Sequence, residues 1–400
     1  MTDARLIWGV AIHQLICWGT LYSAVPVFIA PMEAELGLSR ADIAGAVTAG
    51  LLAAGLAAIP VGRFVDRRGS RGVMALGALL GGVALLGWAA VPASLPMFYL
   101  LWIAIGAVQG MAFSDPAYAA LTANSRDPRR AVMYSTFVTG FTTSLFVPLA
   151  AMLIDVFGWR QTLLGFALLH LIAAAAAWVL LRGARGSLAG LSGEASGRPL
   201  RRALRRRAFW ALAVTFCAHG FTMVGLGFHI LPLLAERGLA QAAAVTVVAV
   251  QGPCQVLARG VLFLLGRRVT DIRYVGLIAM ALMPAAMLAL ALAPPLLPVL
   301  LIYAVLLGVA AGLQTIIRVT GVAEILGREG YGQISGALTT AVVLPRTAAP
   351  LAIALAWESW GGYAPVPWLL LGVTTVGALA FLVAALDRPP EGSSPAQRGG

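Results

Sequence analysis

The chain contains no lysine, and only 11% of its 400 residues are charged. The missing lysine removes both the Schiff-base amine and the phosphate-binding Gly-Lys-Ser/Thr loop, so imine chemistry and nucleotide hydrolysis lack their usual residue. The missing charge removes the polar shell of a soluble protein, because 60% of the residues are hydrophobic and the mean hydropathy is +0.89. Cysteine is scarce as well. Cys17, Cys217 and Cys254 lie far apart in apolar runs, at no disulfide or metal-ligand spacing, and read as packing residues. With no nucleophile elbow and no paired His-Glu motif, the sequence predicts no enzymatic activity, no metal and no cofactor.

What the chain does have is apolar run length. Twelve stretches reach the length of a bilayer span, at about 6–30, 42–62, 73–92, 96–120, 131–154, 161–182, 209–234, 241–265, 273–293, 297–320, 332–356 and 364–386. The first lacks a short apolar core followed by a small-residue cleavage site, so it is expected to stay as a span. The fold class is therefore an all-α membrane protein with twelve transmembrane helices and the lipid bilayer as its surroundings. The widest break, 183–208, is rich in glycine, serine and arginine. It predicts a flexible basic linker between an N-terminal half, 1–182, and a C-terminal half, 209–386, with a disordered tail over 387–400.

A net charge of +12 and a pI near 10.7 would suit a nucleic-acid-binding protein. The positions of the arginines argue otherwise. Of the 28, 22 lie at the N-terminus, at 63–71, 126–130, 182–207 and 267–273, at Arg328 or in the tail; three (Arg40, Arg160, Arg237) lie in the alternate loops, and three (Arg259, Arg318, Arg346) inside apolar runs. That bias places both termini and the linker in the cytoplasm of a multi-pass inner-membrane protein, with no nucleic-acid partner expected.

The two halves repeat. Pro31-Met32-Glu33-Ala34-Glu35-Leu36-Gly37-Leu38 aligns with Pro232-Leu233-Leu234-Ala235-Glu236-Arg237-Gly238-Leu239, and Asp155-Val156-Phe157-Gly158 with Glu358-Ser359-Trp360-Gly361. Both matches fall in loops of the same predicted sidedness, as parallel repeats require.

Several charged groups sit where charge is costly. The stretch from Gly62 to Arg71, between spans 2 and 3, holds four arginines and an aspartate; it predicts a water-facing hairpin in which Asp66, Arg67 and Arg71, with Gly62 and Gly69 for close approach, form a gating latch. Arg259 lies inside span 8, with Gln255 one turn before it on the same face, so the two present a guanidinium and an amide to one anion. Asp115 in span 4 and Arg318 in span 10 are 203 residues apart, at matching points of the repeat, and are expected to couple the halves through a bridge that protonation or an anion releases. Tyr22 and His229 are further candidates for the wall of the binding site.

Twelve spans, the central basic linker and the 62–71 stretch, with glycine, aspartate, arginine, glycine and arginine at 62, 66, 67, 69 and 71, resemble the major facilitator superfamily. Trp18-Gly19 with Tyr22, Gly158-Trp159-Arg160, the span-8 arginine, and Glu324-Ile325-Leu326-Gly327 followed by Gly332 and Gly336 are similar to its monocarboxylate transporter and oxalate/formate antiporter group. The resemblance implies two pseudo-symmetric six-helix halves and a span-8 arginine that contacts the substrate carboxylate, a role that falls on Arg259. The slot one turn earlier, acidic in many animal members, holds Gln255. Proton-driven drug exporters of the superfamily carry an arginine before glutamine-glycine in span 4, which Gly106-Ala107-Val108-Gln109-Gly110 lacks. The expectation is a monomeric secondary transporter of a small organic anion, a monocarboxylate, with a proton as the coupling ion. A multidrug antiporter and a transporter-like ligand sensor are the alternatives.

Overall fold

The structure is a computed structural model that describes residues 3–184, 198–265, 271–327 and 331–387. Twelve of its helices have the length and apolar composition to cross a membrane: Asp3–Leu36, Arg40–Val65, Ser70–Ala89, Leu95–Asn124, Arg130–Phe157, Trp159–Leu180, Arg207–Glu236, Gln241–Leu262, Ile272–Leu292, Leu297–Ile316, Gln333–Trp360 and Val366–Leu386. They are spans 1 to 12 below. Each corresponds to one expected span, and no strand occurs among the described residues.

Packing follows the repeat. Span 2 lies along span 4 as span 8 lies along span 10, span 3 along span 6 as span 9 along span 12, and span 1 along span 5 as span 7 along span 11. The repeated loop glycines share a positive φ, which other residues rarely adopt: Gly37 and Gly238 have φ 64° and 81°, Gly158 and Gly361 85° and 69°. A close helix contact also needs glycine, since a Cβ on Gly106 of span 4 would lie 1.8 Å from the Gly50 carbonyl oxygen of span 2.

The 62–71 stretch differs from the expected hairpin. The second helix runs through Gly62 to Arg68 and the third starts at Ser70, so the turn is the single residue Gly69, at φ 80° and ψ 164°. Arg63, Arg67 and Arg68 do not unwind the helix, because close to its end they can point out of the apolar slab while the backbone stays hydrogen-bonded. The proposed linker also differs where it is described. Arg198–Leu204 is a short helix, and Arg206 donates to the Ile325 carbonyl at 2.8 Å and to Asp387 at 3.1 Å. Residues 185–197 and the tail from 388 lie outside the described residues, as do 266–270 in the second-half counterpart of the 62–71 stretch.

The halves meet through spans 2 and 11, 5 and 8, and 1 and 7. A single apolar core joins them toward the face opposite the termini, where Phe28, Trp88 and Trp102 of the first half belong to the same cluster as Leu226, Tyr303 and Tyr363 of the second. Toward the terminal face the core divides: Leu6, Met74 and Leu121 form one cluster, Phe209, Ile325 and Phe381 another. The molecule is thus sealed at the far face and parted at the terminal one.

Candidate functional site

Between the halves lies a cavity of about 320 Å³, lined by spans 1, 4, 5, 8 and 10. Local breaks in the helices shape it. Span 1 carries a π-helical turn over Gly19–Ser23, a widened turn that re-aims side chains. Span 4 breaks at Phe113, whose backbone is extended (φ −92°, ψ −156°). Gln14 satisfies the freed carbonyls, its amide donating to Ala112 at 2.8 Å and Phe113 at 3.2 Å, while its oxygen accepts from the Trp18 indole at 2.9 Å. Trp18 stacks on Phe113 with ring centroids 4.0 Å apart, and Tyr22 meets Trp18 edge-on at 5.3 Å. The Trp18 and Tyr22 rings form one wall.

The opposite wall is rich in hydroxyls. Ser135, Thr136, Thr139, Thr142 and Thr143 of span 5, Ser114 and Tyr118 of span 4 and Thr315 of span 10 line the space, and no aspartate or glutamate does so among the described residues. Among the described residues the one charged lining group is Arg259. Its guanidinium donates to the Thr136 carbonyl at 3.1 Å, the Thr315 hydroxyl at 3.1 Å and the Gln255 amide oxygen at 3.4 Å, all neutral acceptors. Its Nε is buried without a hydrogen-bond partner. A cation held by neutral groups, with a donor to spare, can take an anion: charge-assisted bonds to a carboxylate are about twice as strong as neutral ones.

Of the residues singled out in the sequence, Arg259, Gln255 and Tyr22 come together here. His229 does not. Its neighbour Phe228 faces the interior next to Tyr22, with ring centroids 5.5 Å apart, and one helical step turns His229 away by about 100°. The histidine is buried, bonding through Nδ1 to the Tyr363 hydroxyl at 2.7 Å and through Nε2 to the Pro350 carbonyl at 2.8 Å. Arg318 lies in another π-helical turn, Ile317–Gly321, and donates to Thr339 of span 11 at 3.1 Å. Asp115, between cavity residues Ser114 and Tyr118, is exposed; no ion pair joins it to Arg318 among the described residues. In the 62–71 stretch Arg67 is exposed, Gly69 makes the corner, Gly62 has open space where a Cβ would stand, and the Asp66 side chain lies outside the described residues. Arg71 stacks 3.9 Å over Trp178 and donates to its carbonyl at 2.7 Å, a contact within the first half.

The far face holds a clasp that the sequence reading did not anticipate. Arg40, at the start of span 2, takes Glu33 in a fork at 2.8 Å and 3.0 Å, lies 4.4 Å over the Trp357 ring of span 11 and donates to the Tyr363 hydroxyl at 3.4 Å. Glu236 fixes the receiving rings by accepting from the Trp357 indole at 2.9 Å and the Tyr363 amide at 2.6 Å. Tyr363 lies outside the spans, and burial pushes its hydroxyl up to about 12, so it remains a protonated donor. A second tie joins Gln241 to Asp155 at 3.4 Å. The one available signal was the position of Arg40 in the arginine-poor set of loops.

A family model described as Major Facilitator Superfamily matches residues 10–344. No curated protein matches the chain.

Proposed function

The chain belongs to the major facilitator superfamily of membrane transporters, and from that premise we propose that it moves a small organic anion, a monocarboxylate, by alternating access coupled to protons. The observation that carries this reading is Arg259: a cation in a cavity without acidic lining, bonded to neutral acceptors and with one buried N–H unused. Gln255 and Tyr22 border the same space and complete the carboxylate site. In this reading the cavity opens to the cytoplasm of an inner-membrane protein that works as a monomer, and the Arg40 clasp closes the outside. Asp115 and Arg318, at matching points of the repeat, couple occupancy to rocking of the halves. The 62–71 corner latches the cytoplasmic side in the alternate state. A cavity for lipophilic cations would be better served by an acidic lining, which favours the anion over the drug-export alternative.

Uptake into proteoliposomes tests the reading, with carboxylates compared with lipophilic cations, with and without a pH gradient. Arg259→Ala removes charge-assisted hydrogen bonds worth about 1.5–3 kcal/mol each, so carboxylate uptake should fall by at least tenfold. Arg259→Lys keeps the charge but loses the fork, and should recover part of it. Unchanged carboxylate uptake in Arg259→Ala, or transport of lipophilic cations alone, would refute the assignment.

A further inference from the structure

The hydroxyl-lined cavity does not end at Tyr22. Tyr22, Ser23, Thr143 and Gln255 also border a second compartment of about 190 Å³, which runs on from the first toward the clasp. Its character is different. Pro26, Val147, Leu226, Phe228, Val248 and Leu307 make most of its wall apolar. An apolar cavity of about 150 Å³ accepts a benzene ring, so this one has room for a hydrocarbon body of similar size.

Two polar groups mark its inner end. Gln251, Gln255 and Arg259 stand at successive steps of four residues along span 8, so they share a face, and they line in turn the second compartment, both compartments and the first. Tyr303 of span 10 also lines the second compartment; it is fully buried, and its hydroxyl lies beside Gln251 without making a hydrogen bond of good geometry. A buried phenol without a well-formed hydrogen bond is costly in an otherwise well-packed helix bundle. The two compartments thus each present an unused buried donor, the Arg259 Nε in one and the Tyr303 hydroxyl in the other.

Resting on the carboxylate reading of Arg259, we infer that the cargo is an elongated, amphiphilic monocarboxylate. Its carboxylate sits on Arg259, its hydrocarbon body fills the second compartment, and a hydrogen-bonding group at its far end meets Tyr303 and Gln251. The two helical steps from Arg259 to Gln251 rise roughly 12 Å, which sets the body at about six to eight carbons. Acetate-sized acids leave the second compartment unused.

The test is equilibrium binding to the purified full-length chain by calorimetry, with acetate, butanoate, hexanoate and omega-hydroxyhexanoate as probes. Affinity should rise by about fourfold per methylene from acetate to hexanoate. Gly227 of span 7 lines the second compartment, and a Cβ there meets nothing within 4 Å. Leucine at this position fills the compartment without a backbone clash, so in Gly227→Leu the hexanoate-to-acetate affinity ratio should collapse toward one while thermal unfolding confirms the fold. Tyr303→Phe should erase the preference, about tenfold, for the hydroxylated acid over hexanoate. Acetate and hexanoate binding with equal affinity, both lost in Arg259→Ala, would overturn this inference and leave the carboxylate site standing. A chain-length preference that Gly227→Leu does not move would overturn it too. Binding of all four acids that is indifferent to Arg259→Ala, or absent at millimolar concentrations, would bring down both readings.

Discussion

Removing Arg40 should open the far face. Its side chain is 17% exposed and that of Glu33 21%, so water screens the clasp only in part. Its fork to Glu33 lies within the first half and does not resist separation. What crosses between the halves is the guanidinium over the Trp357 ring at 4.4 Å and the 3.4 Å bond to Tyr363. A cation over an aromatic face is worth about 0.5–2 kcal/mol as burial increases, and a long hydrogen bond adds about 0.5 kcal/mol. Arg40→Ala should therefore weaken closure by ~1–3 kcal/mol, which is a shift of about 5- to 150-fold between closed and open populations. Ala93 and Leu296 are exposed on far-face loops of the two halves, and nitroxides there, with the three native cysteines replaced by alanine, report the separation through electron-electron distance measurements. The variant should gain a longer-distance population, and Arg40→Lys a smaller one. Superimposable distributions in wild type and Arg40→Ala would refute the clasp as the closing device.

Gly106→Ala should separate spans 2 and 4, since its Cβ would stand 1.8 Å from a backbone oxygen that cannot rotate away; overpacking of this kind costs about 1–3 kcal/mol, and a fall in thermal unfolding temperature checks it. Gly227→Ala, with open space at its Cβ, should leave that temperature unchanged or raise it. The Tyr363 hydroxyl, raised by burial to about 12, contributes stability that is intact below the ordinary tyrosine value of about 10 and is lost as pH rises through the folded one. Far-face distances measured between pH 6 and 9 should thus follow parallel profiles in wild type and Tyr363→Phe, and a pH dependence that vanishes in the variant would contradict this. Glu236→Ala frees the Trp357 and Tyr363 contacts that Arg40 needs, so its effect on closure should overlap with that of Arg40→Ala, and full additivity in the double variant would show the two acting separately.

The spans were legible because a bilayer demands about twenty apolar residues and tolerates few charges, and the repeat because its loop glycines need positive φ at matching places. Arg259 was legible for the same reason: a charge within an apolar run stands out. The hydroxyl wall was not. Serine and threonine bond back to their own helix, as Thr136 does to the Met133 carbonyl at 2.8 Å, so they cost little anywhere along a span and carry no positional signal. His229 was misplaced by a single helical step, which run length cannot resolve. The 62–71 turn is shorter than the charge run, because charge density marks the membrane edge but not where a helix ends.

The repeat itself explains why the clasp has an arginine on one side only. The span-3 carbonyl of Ala89 and the span-9 carbonyl of Leu290 stand 201 residues apart, and each accepts from an arginine, Arg160 in the first half and Arg237 in the second. Those two arginines come from different loops. In the first half Arg160 also bonds Glu35 at 2.7 Å, whereas in the second Arg237 leaves Glu236 to the indole and amide of the 357–363 corner. Glu35 and Glu236, equivalent in sequence, each accept from a tryptophan indole, Trp159 at 2.5 Å and Trp357 at 2.9 Å, but Glu35 adds an ion pair to Arg160 where Glu236 takes the Tyr363 amide and so builds the aromatic receiver. The receiver faces Arg40 of the opposite half. At the same offset Arg40 corresponds to Gln241, whose amide meets Asp155 at 3.4 Å, so the two equivalent junctions of the far face are an arginine on aromatic rings and an amide on a carboxylate.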